Sequence, residues 1–225
     1  MSRRETSAAA KAKSGAKRAS RRRAYHHGDL RAAMVAATLA IIREEGLPAL
    51  SVRAAAKRAG VSAGAPFRHF ASRRVLLTAV AEEATEKLAC DIEAAVAASR
   101  GKTPADALRA ISFAYLDWAL ANPAQFETIS DRRLIDYDQS PVLRGRNDGV
   151  RALLDQAIGD LLVEAGRPHG PEIIVRIRLE MRALGYGLAR MLIDGHFSDW
   201  GLPGETPRRA MERVIGQFIE RLARA

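Results

Sequence analysis

Residues 51–70 constrain the fold most, because they place two helix-capping serines on either side of one glycine. Ser51 can cap a helix of about two turns, and Gly60 can follow it in the left-handed conformation that costs glycine nothing. Ser62 can then cap the next short helix, which carries Phe67 and Phe70. The segment therefore predicts two short helices joined by a tight turn.

Two adjacent small residues fit this arrangement. Ala55 and Ala56 lie where the two helices must cross closely, and Ala56 precedes Gly60 by four residues. Short helices joined by a glycine-containing turn are typical of the DNA-binding helix-turn-helix. Any pair of antiparallel helices can use alanine and glycine in this way, so the geometry alone leaves DNA binding open.

The positive charge is concentrated at the amino-terminal end. The formal net charge is +10, of which residues 1–24 carry +8, residues 25–88 carry +3 and residues 89–225 carry −1. This distribution indicates a polyanion-binding surface in the amino-terminal third. Residues 1–24 lack a periodic apolar face and are predicted to form a disordered basic arm, which either contacts phosphates or only increases solubility. A mitochondrial targeting peptide has a similar composition, but a segment predicted to fold follows the arm at once.

Composition favours an all-α fold. Hydrophobic residues make up 48% of the 225 residues, enough to bury a core, whereas aromatic residues make up only 5%. Sheets draw on aromatic and β-branched residues, so helices are expected throughout. Apolar spacing and helix-breaking residues predict a first helix through Val35, Leu39 and Ile42, a short helix around Phe126, and longer helices at 73–98, 104–120, 141–164, 171–193 and 206–223.

The chain also lacks the features of a secreted or membrane protein. Its single cysteine, Cys90, cannot form an internal disulfide. No apolar run approaches the roughly 18 residues that span a bilayer. We expect a soluble protein of the cytoplasm.

Three segments carry a resemblance to a known family. Residues 25–30 (YHHGDL), 50–53 (LSVR) and 59–70 (AGVSAGAPFRHF) closely resemble the amino-terminal domain of the TetR family of bacterial transcriptional repressors. Residues 185–189 (GYGLA) and 192–195 (LIDG) resemble, more weakly, a carboxy-terminal domain of that family. The resemblance implies a three-helix helix-turn-helix DNA-binding domain at 25–72 and a helical ligand-binding and dimerisation domain at 73–225. It also implies a homodimer through the last two helices, for which an intramolecular core is the alternative.

The resemblance and the exposed cations together define a candidate DNA-binding surface. Phe67 stands where the family usually has tyrosine, and Arg73 where it usually has lysine. Phe67 cannot donate to a phosphate, whereas Arg73 keeps a cation for phosphate contact. Base discrimination is expected mainly from Arg53, Arg68 and Ser62. The full candidate set is Ser51, Arg53, Ser62, Ala63, Gly64, Ala65, Phe67, Arg68, His69 and Arg73.

Candidate ligand-binding residues lie on the predicted central helices. They are apolar or amphipathic, and each one taken singly also fits a plain core position. Because the charge of this part of the chain is nearly balanced, an uncharged or weakly charged apolar molecule is expected. Neither the acidic group near 131–138 nor the group near 194–199 has a convincing metal-ligand spacing, so no metal or other cofactor is expected. The ligand candidates are Phe113, Trp118, Phe126, Met181 and Tyr186.

These features predict a ligand-responsive DNA-binding repressor that a small apolar molecule releases from a pseudo-palindromic double-stranded DNA operator. The alternative is a helical small-molecule carrier or enzyme with an incidental helix-turn-helix. The sequence has no nucleotide-binding glycine loop, no His-Glu-x-x-His pattern and no nucleophile elbow, so we do not expect an enzyme.

Overall fold

The computed structural model describes residues 30–62, 64, 66–200 and 203–224, and every regular element in those ranges is helical. The all-α prediction is therefore confirmed for the described chain. The basic arm lies outside the described residues. One-turn 3₁₀ helices occupy Leu47–Ala49, Pro66–Arg68, Arg132–Leu134 and Tyr137–Gln139. The α-helices are α1 (30–45), α2 (Val52–Arg58), α3 (Arg73–Ala98), α4 (Pro104–Ala121), α5 (Pro123–Ser130), α6 (Pro141–Glu164), α7 (Pro171–Ile193), α8 (Phe197–Trp200) and α9 (Pro207–Ala223).

The helices begin where local chemistry favours a start. Proline occupies the first turn of α4, α5, α6, α7 and α9, where its missing amide donor costs nothing. The side chains of Thr103, Ser140 and Thr206 cap α4, α6 and α9 by accepting a hydrogen bond from a backbone amide. The sequence prediction of α3, α6 and α7 agrees with the structure at both ends of each helix. Helix α8 and the 3₁₀ helices were not predicted as separate elements.

The described residues up to Val80 form one compact unit, which includes the first eight residues of α3. Ala55 and Ala56 of α2 are fully buried, and Phe70 is buried as well. Gly60 has a φ of 67°, the left-handed conformation that the turn after α2 requires. The second helix and its glycine turn are therefore as predicted.

The third helix of this unit differs from the prediction. The described residues contain a 3₁₀ helix at Pro66–Arg68, and Ser62 lies in irregular structure before it. The expected helix beginning after Ser62 is thus wrong at its start. Gly64 is a poor helix former, and Pro66 has no amide donor and is favoured only in a first turn.

The second compact unit comprises the described residues from Ala81 onward. Helix α4 contacts α6, α7 and α9, so it lies at the centre of this unit. One glycine within α7 is closely packed, because a Cβ on Gly185 would lie 3.5 Å from the ring of Tyr115. A Cβ on Gly187 would meet no described atom within 4 Å. None of the described helices is long and apolar enough to cross a membrane.

Candidate nucleic-acid interface and ligand cavity

Ser51 caps the amino-terminal end of α2. Its hydroxyl accepts a hydrogen bond from the backbone amide of Ala54 at 3.0 Å, which satisfies one of the free amides of the first turn. Val52, Ala55 and Ala56 are buried, so the opposite face of α2 presents Arg53 to solvent. Ser51 therefore has a capping role in the free protein, and Arg53 is accessible at the amino-terminal end of α2.

The candidate DNA-binding residues are accessible wherever the structure describes them. Phe67 is 44% exposed, which is unusual for a phenylalanine and leaves its ring free of the core. Ala63 and Ala65 lie outside the described residues. The exposed candidates are Ser51, Arg53, Ser62, Gly64, Phe67, Arg68, His69 and Arg73.

Two arginines of this unit hold its helices together. Arg58 at the end of α2 pairs with Glu44 and Glu45 at the end of α1. Arg73 at the start of α3 donates to the backbone carbonyl of Leu47 at 2.7 Å. Carboxylates therefore balance the charge of Arg58, whereas the hydrogen-bond partner of Arg73 is an uncharged carbonyl.

The second unit contains two adjoining cavities. The larger has a volume of about 410 Å³ and is lined by α3, α4, α5, α6, α7 and the 3₁₀ helices after α5. The smaller has a volume of about 100 Å³ and is lined by residues of α3, α4, α6, α7 and α9. The larger volume is within the usual range for small-molecule sites, about 300–1,000 Å³. The two cavities share Ile92, Tyr115, Val150, Leu154 and Arg182.

The ligand candidates are divided between cavity and core. Met181 lines the smaller cavity. The other four candidates line neither of these cavities, namely Phe113, Trp118, Phe126 and Tyr186. Trp118 and Phe126 are buried in the hydrophobic core, and the ring of Phe126 lies between those of Tyr115 and Tyr186, with centroids 6.2 and 5.7 Å away. Phe126 therefore contacts the cavity residue Tyr115 without lining either cavity itself.

Sequence reasoning missed the polar residues of the larger cavity. Its lining includes Tyr115 and Tyr137, together with four arginines: Arg132, Arg151, Arg178 and Arg182. One signal was available, because Arg178 and Arg182 are four residues apart and so share a face of α7.

Tyr115 is the cavity residue with a shifted acidity. Burial raises the pKa of its phenol, and the nearby Arg182 cation opposes part of that rise. The phenol oxygen is buried and has no hydrogen-bond partner within the described ranges. The same holds for the hydroxyl of Ser130, which lines the same larger cavity. Within the described ranges, no group of three or more metal-ligating side chains occurs.

Comparison with known proteins identifies both parts of the chain. The family described as bacterial regulatory proteins, tetR family, matches residues 34–80. The family described as tetracyclin repressor-like, C-terminal domain, matches residues 108–218. No curated protein matches the chain in its sequence.

Solved structures share the fold over most of the chain. A protein of unknown function from Rhodococcus sp. RHA1 is 25% identical, with a TM-score of 0.70 over 89% of this chain and 98% of its own. A tetR-family regulatory protein from Rhodococcus RHA1 is 20% identical, with a TM-score of 0.64 over 87% and 97%. The ketosteroid transcriptional regulator KstR2 of Mycobacterium tuberculosis is 21% identical, with a TM-score of 0.57 over 86% and 92%.

Proposed function

Because this chain belongs to the TetR family of bacterial regulatory proteins and is a ligand-responsive DNA-binding regulator, we propose that it is a repressor released from its operator by a small molecule. Members of this family are typically regulators and not enzymes. The observation that carries the proposal is the pairing of an exposed set of DNA-binding candidates around α2 with a cavity of about 410 Å³ in the other unit.

The proposed DNA-binding domain is residues 25–72, and the proposed ligand and dimerisation domain is residues 73–225. Arg53, Ser62 and Arg68 are proposed to contact bases, and Arg73 is proposed to contact phosphate. Phe67 is proposed to pack against sugar or thymine methyl groups, since its exposed ring has no hydrogen-bonding group.

Helix α3 is the proposed route from ligand to DNA. Its first residue is Arg73, and further along it supplies Thr85, Leu88 and Ile92 to the larger cavity. A ligand can change DNA affinity only through a difference in its own affinity for the two conformations of the protein. A molecule that contacts α3 in one conformation and not in the other meets this requirement.

The proposed homodimer forms through α7 and α9. These helices expose large apolar side chains in the single chain, namely Leu179 and Tyr186 on α7 and Val214 on α9. Exposed apolar groups on two helices that contact each other suit a helical interface between two copies. A two-fold dimer would read inverted half-sites, hence the pseudo-palindromic operator.

Selection from a random pool of duplex DNA tests the function directly. The full-length protein should enrich an inverted repeat, and sedimentation at micromolar concentration should show a dimer. Random duplex DNA at low salt should also bind, but more weakly, because phosphate contacts carry no sequence information. A pool without any enriched sequence would contradict a DNA-binding regulator, and a monomer with or without DNA would contradict the dimer.

A further inference from the structure

The lining of the larger cavity carries an excess of positive charge. Four arginines lie there, and none of the described residues that line it is an aspartate or a glutamate. Two of the four are neutralised, because Arg178 pairs with Asp155 at 2.5 Å and Arg151 pairs with Asp148.

The other two arginines, Arg132 and Arg182, lie against aromatic rings. The guanidinium carbon of Arg132 is 3.1 Å from the ring centroid of Tyr137, and that of Arg182 is 5.0 Å from the ring centroid of Tyr115. In the described part of the chain, no carboxylate oxygen lies within 4.0 Å of either guanidinium. An arginine stays charged at every physiological pH, so these two cations remain available to an anion.

Two buried hydroxyl groups of the same lining are also unsatisfied. The hydroxyls of Tyr115 and Ser130 are buried, and neither has a hydrogen-bond partner among the residues that the structure describes. Buried polar groups are nearly always hydrogen-bonded in folded proteins, and an exception calls for an explanation. A bound molecule with acceptor oxygens would supply the missing partners.

The remaining lining is apolar and continues into the smaller cavity. Leu88, Ile92, Ile135 and Leu143 are buried walls of the larger cavity. The smaller cavity is lined mainly by apolar side chains, and Tyr115 and Arg182 line both cavities. A hydrocarbon body can therefore be buried against apolar side chains in either cavity, next to Tyr115 and Arg182.

We propose that the effector is an amphipathic anion with an apolar body and one carboxylate or phosphate head group, which is bound by Arg182 together with Arg132. The proposal rests on the ligand-responsive function above and names the chemistry of its ligand. The expectation of an uncharged ligand used the summed charge of the domain, whereas binding depends on the charges that line the cavity. A guanidinium binds either head group through paired hydrogen bonds, so both anions are included.

Isothermal titration of the full-length protein with matched amphiphiles tests the proposal. The first series is decanoate, decyl phosphate, decanol and decylamine, each below its critical micelle concentration, and the second is 2-naphthoate against 2-naphthol. At least one anion should bind about tenfold more tightly than its alcohol, and decylamine should bind most weakly. Tighter binding of decyl phosphate than of decanoate would assign the head group to phosphate, and the reverse order to carboxylate.

Three variants locate the head group. Arg182→Gln should reduce the preference for the anion over the alcohol by about tenfold, and Arg182→Lys should keep part of it because the charge remains. Arg176→Gln is the matched control, since Arg176 is an exposed arginine on the same helix outside both cavities. It should leave the preference unchanged.

Three results would overturn the proposal. The natural protein could bind anion and alcohol equally well, or it could bind no anion in either series. The Arg182→Gln variant could also retain the full preference for the anion. If DNA selection succeeds while the anion preference is absent, only the identity of the ligand is wrong. If no operator is selected, the regulatory function itself fails.

Discussion

The Nη2 atom of Arg73 donates a hydrogen bond to the backbone carbonyl of Leu47 at 2.7 Å, which ties the start of α3 to the 3₁₀ helix between α1 and α2. A guanidinium has five donor hydrogens, so this bond leaves most of its donors available. Arg73 is exposed and can therefore support the fold and contact a phosphate at the same time.

Arg73→Ala should weaken binding to all duplexes by about the same factor and lower the free energy of unfolding by about 1 kcal/mol, through loss of one phosphate contact and one internal hydrogen bond. Arg53→Ala should instead lower the ratio of operator to random-DNA affinity, because Arg53 is exposed at the start of α2. DNA titrations and denaturant unfolding measure these effects. Arg100→Ala, at an exposed site in the other unit, is the control. If both test variants keep the natural affinity ratio, the assignment of Arg53 is wrong.

The amino-terminal arm should add affinity without specificity. Residues 1–24 carry nine lysines and arginines and lie outside the described structure. If half of these cations engage phosphates, deleting residues 2–23 should flatten the slope of log affinity against log salt by roughly four per subunit. The ranking of operator variants should not change. Identical slopes for the full-length and truncated proteins would mean that the arm only increases solubility.

Two helical glycines test the proposed dimer interface. A Cβ would meet no described atom within 4 Å at Gly149 of α6 or at Gly187 of α7, and neither glycine has a positive φ. Gly149→Ala should raise the free energy of unfolding by about 0.5–1 kcal/mol, because alanine favours a helix interior. Gly187→Ala should raise the free energy of unfolding by less than Gly149→Ala does. It should also weaken dimerisation in sedimentation experiments, because the partner subunit would contact the added methyl group. If both variants raise the free energy of unfolding equally and the dimer is unchanged, Gly187 lies outside the interface.

The buried phenol of Tyr115 should influence stability at high pH. Its pKa lies above the ordinary 10.0 because burial disfavours the phenolate, while the Arg182 cation reduces the shift and the neighbouring Tyr186 adds to it. The folded protein then holds this proton more tightly than the unfolded chain, so the stabilisation is present below pH 10 and is lost as the pH rises from 10 through the folded pKa.

Tyr115→Phe should remove this part of the pH dependence and raise the free energy of unfolding at neutral pH by up to about 1 kcal/mol, because a buried hydroxyl without a partner is removed. It should also weaken binding of the anionic probes. Denaturant unfolding of both proteins between pH 7 and pH 11 measures the difference. Parallel stability curves above pH 10 would contradict the assignment.

Local sequence determined where helices begin and how the turn after α2 is formed. Proline at the first position and a Ser or Thr cap specify the start of α6 and α9, because these groups satisfy or remove free backbone amides within a few residues. Gly60 and the small Ala55 specify the turn and the close packing of α2 in the same local way. These features made the all-α fold and the turn after α2 predictable, whereas the candidate DNA-binding residues remain a prediction.

Only the tertiary structure decided which side chains line the cavities. Trp118 and Phe126 were chosen for their aromatic character but are buried in the core, whereas Tyr115 and Arg182, on α4 and α7, line both cavities. Periodicity identifies the apolar face of one helix, but it does not tell which neighbouring helix covers each residue or where two faces leave a gap. A cavity exists only where several packed helices leave space between them. Its charge therefore follows from the tertiary contacts of its arginines and not from the composition of the domain.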